Sequence, residues 1–297
     1  MEKTANPQTI INPQRIIDPQ REKRKSRIAW GIAIFFACIW VIVTVGPFIF
    51  MVVNSFRDRK MMGRQGVLHL PDPWYFQNYP DVINNGFFGY FLRSVIIVSI
   101  SLVLMLIITS FASYPLARMK FKLRGLLYAG IVAMMSVPMH VTLIPVYQMT
   151  NSMGLINNLF SLLGPYVAFA LPMSVFILTG FMMTIPHEME EAAVIDGCNK
   201  YNMFFRVILP LSKAGISTLA IYNVVGMWNE FAFANTFLND IKVKTLPLAL
   251  GAFKGEHSQD TPLILTVLTL SVLPTIILFI IFQDKLVKGM MAGAVKG

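Results

Sequence analysis

Six long apolar runs dominate this 297-residue sequence. They cover residues 28–53, 89–116, 125–148, 159–185, 214–238 and 261–282. A helix needs roughly 20 mostly apolar residues to cross a bilayer, and each run is long enough. Only 13% of the residues are charged, whereas soluble domains carry about 25%. The sequence therefore predicts an all-α integral membrane protein with a six-span domain over residues 28–282.

Lys and Arg residues are distributed unevenly between the two sides that these spans define. Six spans place both ends of the chain on one side, which carries 17 of the 25 basic residues. Cytoplasmic segments are enriched in Lys and Arg, so we expect the tails 1–27 and 283–297 and the loop 184–213 in the cytoplasm. This pattern accounts for the net charge of +10, and we expect no nucleic acid partner.

Prolines interrupt several of the predicted spans, as at Pro138 and Pro145. In a bilayer, carbonyl groups freed by a break must be satisfied by neighbouring protein or by water in a cavity. The breaks indicate either ordinary kinks of a helical bundle or a bundle that bends around a pathway. The sequence leaves both interpretations open.

The loop between the fourth and fifth spans, residues 184–213, is called the 184–213 loop below. Glu190 and Glu191 place negative charge near the start of a predicted helix, where the helix dipole favours it. Gly197 is placed for a left-handed helix end, and Asn199 for the cap of the next helix. Because helices that lie on a membrane surface usually carry Lys and Arg, the acidic charge favours docking onto a cytoplasmic partner. A surface-lying helix is the alternative.

Several catalytic motifs are absent from the sequence. There is no G-x-x-x-x-G-K-[ST] phosphate loop, so we expect the chain itself to bind neither ATP nor another cofactor. His187-Glu188 begins a zinc-protease pattern, but Glu191 occupies the position of the second histidine, and we expect no metal site. Acidic residues are almost absent from the spans, which argues against an ion-coupled carrier. The sequence predicts a pore rather than an enzyme.

Glu230 is the one carboxylate predicted well inside a span. A charge at that depth costs roughly 2.5–3.5 kcal/mol on insertion scales, so it should face protein or water. Asn223 lies seven residues earlier, on the same helical face, and Asn229 is adjacent. These side chains either line a solute pathway or clamp helices together, and Glu230 could also cap a broken helix.

Two further pathway candidates lie on the third span. His140 either lines the pore or satisfies a carbonyl freed by a nearby proline. Tyr147 either stacks on a ring of the solute or belongs to the tyrosine belt found at membrane interfaces.

Three features of the 184–213 loop occur at a specific spacing. They are Glu191-Ala192-Ala193, Gly197 six residues after the glutamate, and Leu209-Pro210 at the end of the next helix. This pattern, between the fourth and fifth of six spans, resembles the EAA loop of binding-protein-dependent ABC importer permeases. Val207 departs from it, because the family usually has Ile there.

Other segments resemble the carbohydrate branch of that family. They are the Asp196-Gly197 pair with Phe205, the stretches Leu143-Ile144-Pro145-Val146-Tyr147 and Trp228-Asn229-Glu230-Phe231, and the closing Gly293-Ala294-Val295-Lys296-Gly297, which resembles the end of the smaller maltose-type subunit.

The resemblance implies half of a translocation pore, a type I ABC importer-like permease domain with a coupling helix in the 184–213 loop. It implies a second, distinct permease, two cytoplasmic ATPase subunits that bind ATP and Mg, and an extracytoplasmic solute-binding protein. The implied activity is import of an oligosaccharide or related carbohydrate across a prokaryotic cell membrane. The implied coupling residues are Glu190, Glu191, Ala192, Ala193, Asp196, Gly197, Leu209 and Pro210. The alternatives are a scaffold that recruits an ATPase without transport, and an ion-coupled carrier.

Overall fold

A computed structural model describes residues 19–253 and 260–294 of the chain. Within these ranges the chain is helical and contains no β-strand. The α-helices, in chain order, are α1 Pro19–Ser55, α2 Arg59–Gln65, α3 Asn78–Val82, α4 Phe88–Arg118, α5 Arg124–Ala133, α6 Leu143–Ser152, α7 Leu163–Met183, α8 Glu188–Ile195, α9 Lys200–Met203, α10 Leu209–Leu211, α11 Lys213–Trp228, α12 Ala232–Phe237, α13 Leu246–Ala252 and α14 Thr261–Ala294.

Contacts between residues divide the chain into two compact units between Phe50 and Met51, inside α1. In the first unit, α1 carries apolar side chains around its whole circumference, which is typical of a membrane-spanning helix. The other helices belong to the second unit. Of the predicted tail 1–27, residues 1–18 lie outside the described residues, and residues 19–27 already form part of α1.

Four helical segments are long and apolar enough to cross a membrane, namely Ala29–Ser55, Asn78–Arg118, Leu159–Met183 and Thr261–Gln283. They coincide with the first, second, fourth and sixth predicted spans. The last of these helices does not end at the predicted boundary with the tail 283–297, because α14 continues to Ala294. Residues 295–297 lie outside the described part of the chain.

The third predicted span, residues 125–148, is not a continuous helix. Its arms, Arg124–Ser136 and Met139–Ser152, meet at an angle of 90°. Val137 is extended, with φ −79° and ψ 113°, because a residue that precedes proline is disfavoured in the helical conformation. Pro138 also cannot donate a main-chain hydrogen bond, which removes one bond that would hold the two arms in line.

The fifth predicted span, residues 214–238, is also interrupted. Helix α11 ends at Trp228, and three residues separate it from α12. The sequence analysis placed Glu230 well inside one span, whereas the structure places it in this break. The difference arises because its carboxylate bonds to the main chain of α12, which stabilises a helix start where the apolar pattern alone predicts continuation.

The packing of α4 against α7 forms the centre of the second unit. Small polar side chains are buried along it, including Ser101 and Ser113 on α4 and Thr179 on α7. The Ser113 hydroxyl donates to the carbonyl of Val175 across the contact, at 3.4 Å. Small residues are typical of helix contacts in membranes, because they allow the backbones to approach and gain van der Waals contact.

Helix α11 crosses α7 where Gly215 meets the ring of Phe181. A Cβ atom on Gly215 would lie 2.8 Å from Phe181 Cγ, which is closer than carbon atoms approach without displacement. Phe181 Cγ lies on the axis about which the ring turns, so a ring flip leaves the overlap in place, and the whole side chain or one of the helices must move to relieve it. The close approach of these two helices therefore requires glycine at position 215.

We predict that Gly215→Ala lowers the free energy of unfolding by about 1–3 kcal/mol, because α7 and α11 must move apart. Gly180→Ala on α7 is the matched control, since a Cβ atom there meets nothing within 4 Å. The control should leave stability unchanged or raise it by about 0.5–1 kcal/mol, because alanine favours helices. Unfolding in mixed detergent micelles measures both, and equal stabilities of the two variants would contradict the packing argument.

Candidate functional sites

A cavity of about 840 Å³ lies between α7, α11, α12 and the turn at residues 139–140. Four of the five residues predicted to line a pathway contribute to its wall, namely His140, Asn223, Asn229 and Glu230. The structure therefore brings these four together. Tyr147 is not among the lining residues, and its ring instead packs on Phe237 with 6.2 Å between ring centroids.

Glu230 caps the broken fifth span. One carboxylate oxygen accepts a hydrogen bond from the Phe233 N–H at 2.7 Å, and the other accepts from the Ala234 N–H at 3.1 Å. Tyr166 lines the same cavity from α7. A negative charge at a helix start is stabilised by the free amides and by the helix dipole. Of the roles considered from the sequence, the cap of a broken helix is the one observed in the cavity wall.

The two asparagines of the cavity wall have different environments. Asn223 is buried and donates to the Ser174 hydroxyl at 3.0 Å and to the Leu219 carbonyl at 2.9 Å, so it joins α11 to α7. Asn229 is exposed and donates to the Val225 carbonyl of its own helix at 2.9 Å. Asn223 therefore acts as a clamp between helices, and Asn229 is an exposed residue of the cavity wall.

The remaining wall of the cavity is largely apolar and includes the aromatic residues Tyr166, Phe169, Tyr222, Phe231 and Phe233. His140 is exposed on the turn that follows the 90° break. Tyr222 on α11 and Phe231 in the break are 57% and 52% exposed, and Phe169 lines the wall from α7. Ring faces with a few polar groups among them can bind a neutral polar molecule by stacking and hydrogen bonding. Sequence analysis missed Tyr222, because a single tyrosine in an apolar run is indistinguishable from an interfacial one.

The 184–213 loop folds as two helical pieces joined at a glycine, as predicted. Gly197 has φ +79°, in the left-handed region that favours glycine, and it ends α8. The Asn199 side-chain oxygen accepts a hydrogen bond from the Asn202 N–H at 2.9 Å and caps α9. The second piece continues through a π-helical turn at Phe204–Ile208 into α10. These local predictions are confirmed.

The predicted coupling residues divide by exposure. Glu191, Ala192, Asp196, Gly197 and Pro210 are exposed, Leu209 is half-buried, and Ala193 is buried against the bundle. Two apolar residues that the prediction omitted, Val194 and Ile195, are 61% and 85% exposed at the end of α8. Exposed aliphatic side chains beside free carboxylates form a surface suited to a protein partner.

Glu190 is engaged inside the chain. Its Oε1 atom lies 2.9 Å from Nε of Arg118, the last residue of α4. Sequence analysis did not identify this arginine as a site residue, because the two residues are far apart in the chain and no local pattern relates them. The only available signal was a basic residue in the last turn of a span, which occurs at many helix ends.

Comparison with known proteins decides the family. Residues 109–292 match the model of the binding-protein-dependent transport system inner membrane component. The chain belongs to this family. A protein of Caldicellulosiruptor sp. (strain Rt8B.4), provisionally named ABC transporter permease protein ORF2, is 46% identical over 88% of this chain and 95% of its own length. The melibiose/raffinose/stachyose import permease protein MelC of Bacillus subtilis (strain 168) is 32% identical over 92% and 98%.

A solved structure has the same fold. It is a bacterial ABC transporter involved in the import of the acidic polysaccharide alginate, and the match covers 88% of this chain and 97% of that one with a TM-score of 0.77. The sequence identity is 20%. The predicted all-α permease fold is therefore confirmed.

Family membership identifies the class of protein. The chain is a multi-pass permease component of the inner membrane and not an enzyme, since ATP hydrolysis belongs to a separate subunit. Such permeases work with a partner permease, an ATPase and a binding protein. The two alternatives considered from the sequence, a scaffold and an ion-coupled carrier, are not favoured.

We predict that Glu230→Gln lowers the free energy of unfolding by about 0.5–2 kcal/mol, because the amide –NH₂ group cannot accept the second α12 hydrogen bond. Asn229→Ala is the control and should change stability by less than about 0.5 kcal/mol. Unfolding in detergent without solute measures both. A stable Glu230→Gln protein that has lost uptake would show that the residue contacts solute instead of supporting α12.

Proposed function

We propose that this chain forms half of the pore of an ABC importer for an oligosaccharide or a related neutral carbohydrate. The observation that carries the proposal is the largely apolar cavity of about 840 Å³ between α7, α11 and α12. Sugars present hydroxyl groups together with apolar ring faces, and both suit an apolar wall that contains several aromatic rings and a few polar groups. The name of the Bacillus subtilis relative, which includes melibiose, raffinose and stachyose, supports the same substrate class.

We propose the following solute contacts in that cavity. His140, Tyr222 and Asn229 are exposed residues of the cavity wall, and their polar side chains would bind sugar hydroxyl groups. Phe231 offers an exposed ring for stacking. Glu230 and Asn223 hold the wall in shape, because their polar atoms are already bonded to α12 and α7.

The same proposal assigns an orientation. Both chain ends and the 184–213 loop would be cytoplasmic, which agrees with 17 of 25 basic residues on that side. An ATPase approaching from the cytoplasm would then meet the end of α8. Two such ATPase subunits, which bind ATP and Mg, would serve this chain and a second, distinct permease, and a solute-binding protein would deliver sugar from the other side.

Glu191 is the carboxylate that we propose for the ionic contact with the ATPase. It is exposed, whereas Glu190 is paired with Arg118. The exposed side chains of Val194 and Ile195 would fill an apolar groove on the ATPase beside that contact. Asp196 and Gly197 would form the turn at the edge of the groove, and Leu209 and Pro210 would end the second helical piece before the chain enters α11.

The proposed mechanism transmits ATPase closure to the pore. Closure of the two ATPase subunits on ATP would displace α8 in each permease. Because the 184–213 loop connects α7 to α11, a rigid displacement of the loop would tilt both helices, and residues of both line the cavity. The cavity would then change from facing the cytoplasm to facing the binding protein.

We predict that Glu191→Lys lowers uptake of radiolabelled raffinose by about 10-fold or more while the complex still assembles, because two like charges would face each other at the contact. Glu191→Asp keeps the negative charge and should retain most of the uptake. Uptake is measured in cells that express the complete transporter, together with co-purification of the ATPase. Normal uptake by Glu191→Lys would contradict the assigned contact, and a complex that takes up no sugar of any class would contradict the proposed substrate.

A further inference from the structure

A buried ion pair joins α4 to the 184–213 loop. Nε of Arg118 lies 2.9 Å from Oε1 of Glu190, and the two side chains are 2% and 21% exposed. The same guanidinium group donates through Nη2 to the carbonyl of Ile185. Ile185 lies in the segment that connects α7 to α8. A single arginine therefore bonds to the segments on both sides of the loop's first turn.

Aromatic contacts reinforce this connection. Phe111 and Tyr114, about two turns and one turn before the end of α4, pack on Phe204 with centroid distances of 5.2 and 5.1 Å. Phe204 starts the π-helical turn of the loop's second piece and is buried. The end of α4 thus contacts both helical pieces of the loop, one through charge and one through rings.

Burial makes the ion pair sensitive to loss of one partner. A charge removed from water is costly unless an opposite charge and hydrogen bonds compensate it. If Glu190 were displaced without Arg118, the guanidinium group would keep the Ile185 carbonyl and the His187 ring as neighbours but would lose its paired negative charge. The low-energy response to movement of α8 is therefore movement of the end of α4 in the same direction.

Covalent connection alone would carry a displacement of the loop only to α7 and α11. Helix α4 has no direct chain connection to the loop, since α5 and α6 lie between them. It packs on both α7 and α11, which line the cavity. A link from α8 to α4 would therefore make the three helices move together instead of allowing α7 and α11 to slide over a stationary α4.

We propose that Arg118 is a positioning residue that couples displacement of α8 to α4 during transport. This inference rests on the proposed function, because it concerns how that function is coupled to the ATPase. It also explains why two adjacent carboxylates have different roles. Glu190 points inward and fastens the helix to its own bundle, which leaves Glu191 exposed to the partner.

The test uses the complete transporter, reconstituted with its ATPase, partner permease and solute-binding protein. The variants are Arg118→Glu, Glu190→Arg, the double charge exchange, and Arg118→Lys, which keeps the positive charge. Lys122→Glu is the control, because it reverses an exposed charge four residues after Arg118. The readout is the number of solute molecules taken up per ATP hydrolysed, together with the amount of ATPase that co-purifies.

Each single reversal should lower the coupling ratio by about 5-fold or more, which is the low end of typical coupling between sites. Arg118→Lys and the control should stay within about 2-fold of the unmodified protein. The double exchange should recover part of the loss, since a non-additive double mutant reports a direct interaction. Recovery will be incomplete, because glutamate at position 118 cannot donate to the Ile185 carbonyl.

Three results would overturn the inference. The first is normal coupling in both single reversals, and the second is a double exchange no better coupled than its parents. The third applies if the complexes with a single reversal do not assemble. In that case a double exchange that also does not assemble, or that assembles but does not couple ATP hydrolysis to uptake, contradicts the proposed link. Failure of the proposed function is distinguishable, because the unmodified complex would then show no ATP-dependent uptake of sugar.

Discussion

Main-chain hydrogen bonding in the absence of water is the constraint on which this structure depends. In hydrocarbon every amide and carbonyl must find a partner within the protein, so spans are helical and a break needs its own compensation. Glu230 provides such compensation, because its carboxylate accepts from two amides of α12. An irregular stretch is thereby possible in the wall of the cavity, where a continuous helix would present only its side chains.

At the start of α12, the charge of Glu230 and the free amides of the helix compensate each other. A carboxylate facing lipid would be expensive, and free amides at a helix start would also be expensive. Together they form a stable pair that exposes Asn229 and Phe231 to the cavity. Glu230 therefore shapes the cavity wall, and its neighbours Asn229 and Phe231 remain exposed there.

The described residues of the bundle form two apolar clusters, one at the cavity and one at the 184–213 loop. One surrounds the cavity and includes Tyr166, Phe233 and Phe237. The other joins the end of α4 and α7 to the 184–213 loop through residues such as Leu178 and Phe204. The loop is therefore part of a packed core, which allows a force applied at its exposed end to reach the helices.

Structural features that depend on the local sequence, such as the spans and the glycine turn, could be predicted from it. Composition and run length identified the spans, and the φ preference of glycine identified the turn at Gly197. The same reasoning missed the 90° angle at Pro138, because a proline reports a break but not the direction of the chain after it. It also missed the pairing of Arg118 with Glu190, which depends on how α4 packs against a distant loop. Orientation in the membrane and the solute contacts remain predictions.

The account depends most on the position of the 184–213 loop beneath the membrane, in contact with an ATPase. The most direct measurement places a single cysteine at the exposed end of α8, as Ile195→Cys, in a protein whose Cys38 and Cys198 are replaced by serine. Intact cells are treated with a membrane-impermeant thiol reagent, and membranes opened to the cytoplasmic side are treated with a bifunctional cross-linker. The account predicts no labelling in intact cells and a cross-link to the ATPase subunit in opened membranes. Labelling of this cysteine from outside intact cells would contradict it.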